Sequence, residues 1–203
     1  MKISYKLAEL FVTVFYLGKI KFAPGTFGSL VAFPLYYAII NLVGKYQYSS
    51  QILVESNHMQ KNLSLFFIGV SIILLLFSTG THCINEYIKN KRNDDPKEVV
   101  IDEVVGQLIV IVFTYSFTTI FCNSIALQKI DKTYTGSIFL FLLPFISFRI
   151  FDILKPWPIN WLDTNIKGSF GIMIDDIVAA FFAIATQYLV IIVLQYFFLS
   201  HLT

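Results

Sequence analysis

Charge-free stretches recur along this chain at the lengths a lipid bilayer sets. Leu63–Thr79, Val104–Leu127 and Ile177–Leu199 run for 17, 24 and 23 residues without a charged side chain. A helix crossing the hydrocarbon core takes about 20 apolar residues, with a range of roughly 17–25. Ser29–Val43 reaches that length once Phe27 and Gly28 join it. A further run, Gly136–Phe148, has only 13 residues and contains Pro144, so it reads as a tilted or kinked crossing or a re-entrant segment. The pattern predicts an all-α, polytopic membrane helix bundle with four to five spanning helices. Lys2 and Lys6 ahead of Leu7–Leu17 resemble the start of a secretory signal, but no small-x-small cleavage site follows. That stretch is too short to span, and reads as a short N-terminal helix at the interface or packed on the bundle.

Composition narrows the picture. Of 203 residues, 56% are hydrophobic and 14% charged, and mean hydropathy is +0.70. Soluble domains carry about 25% charged residues, so this chain has too few to coat a water-facing surface. Disorder is excluded on the same grounds. The length suits a single integral-membrane domain over 1–203. A net charge of +2 gives no nucleic-acid surface. Cys83 and Cys122 make no disulfide framework.

The polar residues are bunched as well. With five crossings, one side receives the N-terminus to Gly28, Gly80–Glu103 and Arg149–Asp176. Those segments hold 11 of the 15 cations, and the positive-inside rule turns them to the cytoplasm. They also hold 11 of the 13 acids, which that rule does not explain. Asp102–Glu103 and Asp175–Asp176 stand directly before apolar runs, where a carboxylate gains about 0.3–1 kcal/mol from a helix N-terminus. Asp152 follows a run, at the end where an acid is unfavourable. Ionisable groups delivered to membrane depth by three separate segments mark a functional site.

Carboxylates with Arg149 and Lys155 nearby fit a hard divalent cation and a phosphate. Magnesium takes oxygen ligands, commonly one or two carboxylates plus substrate phosphate, and Arg and Lys supply donors for phosphoryl oxygens. The segment from Lys21 to Ser29, with Gly25, Thr26 and Gly28 before a helix, offers backbone N–H groups to an anion, although Pro24–Gly25 is also a plain turn signal. Other phosphatase designs are missing: neither cysteine has an Arg close downstream, no Asp-x-Asp occurs, His58 and His201 fall on the opposite side, and His82 has no partner motif. Zinc lacks His and Cys ligands for the same reason.

Four blocks resemble the phosphatidylglycerophosphatase A family: Lys21-Phe-Ala-Pro-Gly-Thr-Phe-Gly-Ser29, Ile101-Asp-Glu-Val-Val-Gly106, Phe148-Arg-Ile-Phe-Asp-Ile-Leu-Lys-Pro-Trp-Pro-Ile159 and Lys167-Gly-Ser-Phe-Gly-Ile-Met-Ile-Asp-Asp-Ile-Val-Ala179. The family usually has Gly-Gly at Gly168-Ser169 and Ala-Gly at Ala179-Ala180, both small-for-small exchanges. The loop Gly44–Asn62 has no counterpart in it. The resemblance implies a bacterial inner-membrane enzyme with a cytoplasmic active face. It would use Mg2+ to hydrolyse the phosphomonoester of phosphatidylglycerophosphate, a membrane lipid, yielding phosphatidylglycerol and phosphate. On that expectation Asp102, Glu103, Asp175 and Asp176 hold the metal, with Asp152 as a further catalytic acid. Lys21, Thr26, Ser29, Arg149 and Lys155 bind the phosphate. Neighbouring acids on a helix point about 100° apart, so one of each pair is expected to ligate. Trp157 and Trp161 suit an interfacial belt. Two rivals stand beside this reading. A phosphoalcohol transferase would need Asp-Gly, which is absent. The other is a small membrane transporter or scaffold, although a transporter's polar groups would lie at the midplane and not at one face.

Overall fold

Helix is the only regular structure among the described residues, which are 4–49, 58–89, 91, 96–121 and 141–200 of a computed structural model. Seven α-helices follow in order: α1 (Tyr5–Val12), α2 (Pro24–Ser49), α3 (His58–Ile88), α4 (Ile101–Phe121), α5 (Leu143–Leu154), α6 (Ile159–Asn165) and α7 (Gly168–Ser200). A single 3-10 turn, Leu17–Lys19, joins α1 to α2. Asp94, Asp95, Cys122, His201, residues 128–135 and the start of the run Gly136–Phe148 lie outside the described residues.

Among the described residues, three helical stretches are long and apolar enough to cross a membrane: Pro24–Lys45, Asn62–Ile88 and Gly168–Val193. The first begins earlier than charge-free length implied, because Pro24 is well suited to a helix's first turn, where no N–H is needed. Helix also reaches into the expected loop Gly44–Asn62 from both sides, through Ser49 and from His58. Pro144 is the second residue of α5, and Phe141 and Leu142 ahead of it are already helical. The 12 residues of α5 extend about 18 Å.

The core lies around α4. Val104, Val105, Leu108, Val110 and Val112 are at most 2% exposed, and α4 packs on α2, α3, α5 and α7. Outward-facing positions are equally apolar: Tyr37, Leu42, Phe67, Leu74 and Leu189 are each more than 60% exposed. Lipid tails are as apolar as these side chains, so cohesion between the helices comes from close packing and interhelical hydrogen bonds. Ala179, Ala180 and Ala183 of α7 are fully buried, and at Gly106 an added Cβ would meet Phe148 Cζ at 2.6 Å and the Asp176 carbonyl oxygen at 3.1 Å. Small residues therefore set how closely α4 meets α5 and α7. Farther along these helices, the Thr114 hydroxyl donates to Gln187 Oε1 at 2.6 Å and Gln187 Nε2 donates to Ser147 Oγ at 3.0 Å. This buried chain links α4, α7 and α5.

The N-terminal helix α1 packs against α3 through buried Ala8 and Val12, and the Tyr5 ring stacks on Tyr87. Trp157 and Trp161 are both exposed.

Candidate active site

At one end of the bundle α2, α4 and α7 begin and α5 ends. These four ends enclose a cavity of about 950 Å³. Asp102 and Glu103 occupy the first turn of α4, where the helix dipole favours them. Asp175 and Asp176 lie about two turns inside α7, beyond the reach of that dipole, yet they are 5% and 3% exposed. Helix-end electrostatics therefore does not account for them.

Carboxylate oxygens of Asp102, Glu103 and Asp176 all lie within 4.8 Å of one another. Like charges at that range are unfavourable in a buried site unless a cation neutralises them. Each of the three also keeps one buried oxygen without a hydrogen-bond partner: Asp102 Oδ1, Glu103 Oε2 and Asp176 Oδ2. Leaving such acceptors bare costs about 1–3 kcal/mol apiece or more. The cluster offers oxygen alone, the donor set of a hard divalent ion. These residues fit a bound metal.

The α2 start closes over the cluster. A Cβ on Gly25 would run into the Glu103 carboxylate and come within 3.2 Å of Arg149 Nη1, so only glycine lets this turn approach so closely. Ser29 Oγ donates to the Gly25 carbonyl at 3.0 Å and accepts from Arg149 Nη1 at 3.3 Å. Arg149 also pairs with Asp152 one turn along α5, while its Nε is buried without a partner.

Lys155 ends α5 in the left-handed region, φ 41°, a conformation that costs a residue with a side chain roughly 1–2 kcal/mol. From there its ammonium donates to Asp175 Oδ2 at 2.6 Å and Asp163 Oδ1 at 2.9 Å. Burial pushes the Lys155 pKa down, but these two carboxylates outweigh it and hold the group above the ordinary lysine value.

The sequence pattern described as "PgpA: Phosphatidylglycerophosphatase A" matches residues 10–191. The chain belongs to the phosphatidylglycerophosphatase A family. It is 29% identical over 167 residues to Phosphatidylglycerophosphatase A of Escherichia coli (strain K12), covering 82% of this chain and 73% of that one. Against Phosphatidylglycerophosphatase A of Haemophilus influenzae the identity is 30% over 182 residues, covering 90% and 85%. No solved structure matches.

In this phosphatidylglycerophosphatase A member, Asp102, Glu103, Asp152, Asp175, Asp176, Arg149 and Lys155 all line the one cavity. Ser29 is buried and in hydrogen-bond contact with Arg149. Lys21 and Thr26 are not among the lining residues, and Lys21 is exposed in the bend before α2. The two acidic pairs behave differently. On α7, Asp176 joins the cluster while Asp175 turns to Lys155; on α4, both acids join it. Lys97, Asp163 and Lys167 also line the cavity and were missed by sequence reasoning. The available signal was position: Lys167 opens the fourth family block, and Lys97 stands just ahead of Asp102.

Proposed function

We propose that this chain hydrolyses the terminal phosphomonoester of phosphatidylglycerophosphate, releasing phosphatidylglycerol and inorganic phosphate, with Mg2+ as its ion, in glycerophospholipid synthesis. The relatives' names supply the substrate and the cavity supplies the chemistry. The observation that carries the reading is the meeting of Asp102, Glu103 and Asp176 within 4.8 Å, beside the Arg149 guanidinium, in a chain of this family.

Asp102, Glu103 and Asp176 would hold the ion. When bound, Mg2+ draws charge from the phosphoryl oxygens and makes a water more acidic. Arg149 is braced by Asp152 and Ser29 and still has its Nε free to donate to a phosphoryl oxygen. Lys155, kept charged by Asp163 and Asp175, adds a second donor at the same wall of the cavity. Asp175 has one buried oxygen, Oδ1, without a partner. We assign it to take the proton of the attacking water.

The reading includes a single domain over 1–203 in a bacterial inner membrane, with α4 as a further crossing and the cavity facing the cytoplasm. In its favour, α2, α4 and α7 begin at the cavity end, α5 ends there, and Tyr87 near the end of α3 donates to Glu98 just before α4. Most of the chain's cations fall in those same segments.

The test is phosphate release by purified protein in neutral detergent with phosphatidylglycerophosphate and Mg2+. EDTA should stop it and added Mg2+ should restore it. No release above a heat-killed control would sink the proposal and favour a transferase, transporter or scaffold.

A further inference from the structure

Four cations line the cavity, and they fall into two kinds. Arg149 is paired with Asp152, and Lys155 with Asp163 and Asp175. Lys97 and Lys167 are exposed, and among the described residues neither has a carboxylate partner. Lys167 makes only a 3.3 Å contact to the Asp163 carbonyl oxygen. Lys97 comes from the turn that precedes α4, and Lys167 immediately precedes α7. Both therefore stand just outside helices that carry the acidic cluster: Lys97 five residues before Asp102, Lys167 nine before Asp176.

Phosphatidylglycerophosphate has two phosphates of different character. The terminal monoester is cleaved; the diester joining the glycerol headgroup to the lipid remains and carries one negative charge. The paired, buried cations and the acidic cluster suit the first. The second, farther from the reacting bond, calls for charges that stay hydrated and are not already neutralised. Lysine ammonium groups on flexible stems meet that need.

We propose that Lys97 and Lys167 form a second anion station that holds the phosphodiester of the substrate. They thereby select lipids bearing a diester plus a terminal monoester over lipids with a monoester alone. The proposal rests on the phosphatase reading and adds its specificity determinant. The two lysines are binding groups and take no part in the bond-breaking step.

Phosphatidic acid is the discriminating probe, since it has two acyl chains and a phosphomonoester but no phosphodiester. It reports its own Ki as a competitor of phosphatidylglycerophosphate whether or not it is turned over. In neutral detergent micelles, the Lys97→Ala/Lys167→Ala variant should raise KM for phosphatidylglycerophosphate about tenfold, as expected for the loss of roughly 1.4 kcal/mol of binding. Its kcat should stay within about twofold, and the phosphatidic acid Ki should move less than about twofold. Lys97→Arg/Lys167→Arg should restore most of the KM. An equal rise for both lipids would overturn the proposal in favour of general attraction to anionic surfaces, and an unchanged KM would overturn it outright. Wild-type protein that releases no phosphate would instead fail the underlying function, so the two failures are distinguishable.

Discussion

Lys155 Nζ stands 2.6 Å from Asp175 Oδ2, joining the left-handed end of α5 to the second turn of α7 across the whole of α6. This contact removes one acid of an adjacent pair from the cluster and gives it to a cation. It also fixes α5, and with it Arg149, against the helix that bears Asp176.

The two partners are unequally dispensable. Lys155 has a second acid, Asp163, whereas Asp175 is 5% exposed and has no other cation within reach among the described residues. Lys155→Met should therefore lower the melting temperature in detergent more than Asp175→Asn does. Stranding one buried partner costs roughly 3–5 kcal/mol at full burial, and the partial exposure of Lys155 places this pair at the low end. Asp175→Asn should reduce turnover roughly 10²–10⁴-fold, as for loss of the group that takes the water's proton. Equal melting temperatures for the two variants would count against this account.

Asp102→Asn, Glu103→Gln and Asp176→Asn should each cut phosphate release by roughly 10²-fold or more, with normal membrane yield. A second readout is independent of turnover. In EDTA these variants should melt higher than wild type, because each removes one of three crowded like charges. With Mg2+ the order should reverse, since the intact cluster gains most from the ion. A wild-type melting temperature indifferent to Mg2+ would show that the cluster holds no ion.

Gln187 bridges Thr114 and Ser147 inside the bundle. Interhelical hydrogen bonds in membranes contribute about 0.6 kcal/mol on average, up to ~1.7. Gln187→Leu should thus lower thermal stability by about 1–3 kcal/mol over its two bonds. It leaves the Thr114 and Ser147 hydroxyls in place, so Thr114→Val should cost less in the Gln187→Leu background than it does alone. Full additivity of the two changes would argue against a connected network.

Glu98 accepts from Lys91 at 2.7 Å and from Tyr87 at 3.0 Å, anchoring the turn before α4 to the end of α3. The Lys91 contact holds the Glu98 carboxyl below its usual value of 4.5 and, with it, the Lys91 ammonium above the usual 10.5. A carboxyl lowered on folding adds stability that is complete above pH 4.5 and lost as pH falls through its folded value. The raised ammonium adds stability that is complete below pH 10.5 and lost at more alkaline pH. Comparing wild type with Glu98→Gln, the melting-temperature difference should be flat between those limits and shrink below pH 4.5. Its size should be about 1 kcal/mol or less, since both groups are about 30% exposed. A difference that grows on acidification would contradict the assignment.

Several features of the site were readable residue by residue. Asp102, Glu103, Asp175, Asp176, Arg149 and Lys155 stand out because ionised groups are rare beside charge-free runs. Lys97 and Lys167 did not stand out, being ordinary loop lysines until the fold brings their segments to one cavity. Thr26 and Lys21 sit in a glycine-rich turn of the right composition, but the part of it that reaches the cavity is Ala23, Pro24 and Gly25.

By itself the sequence determined that this is a helical chain for a lipid environment, with its ionised groups gathered in a few segments. Hydrocarbon tolerates no unpaired backbone and few charges, so span length and charge placement are written one residue at a time. Only the tertiary structure decided which acids face each other, that Asp175 goes to Lys155 while Asp176 joins Asp102 and Glu103, and which lysines reach the cavity. Those outcomes depend on the rotation and depth of each helix against its neighbours. Close contacts such as Gly106 with Phe148 and Gly25 with Glu103 set them, between residues far apart in the chain.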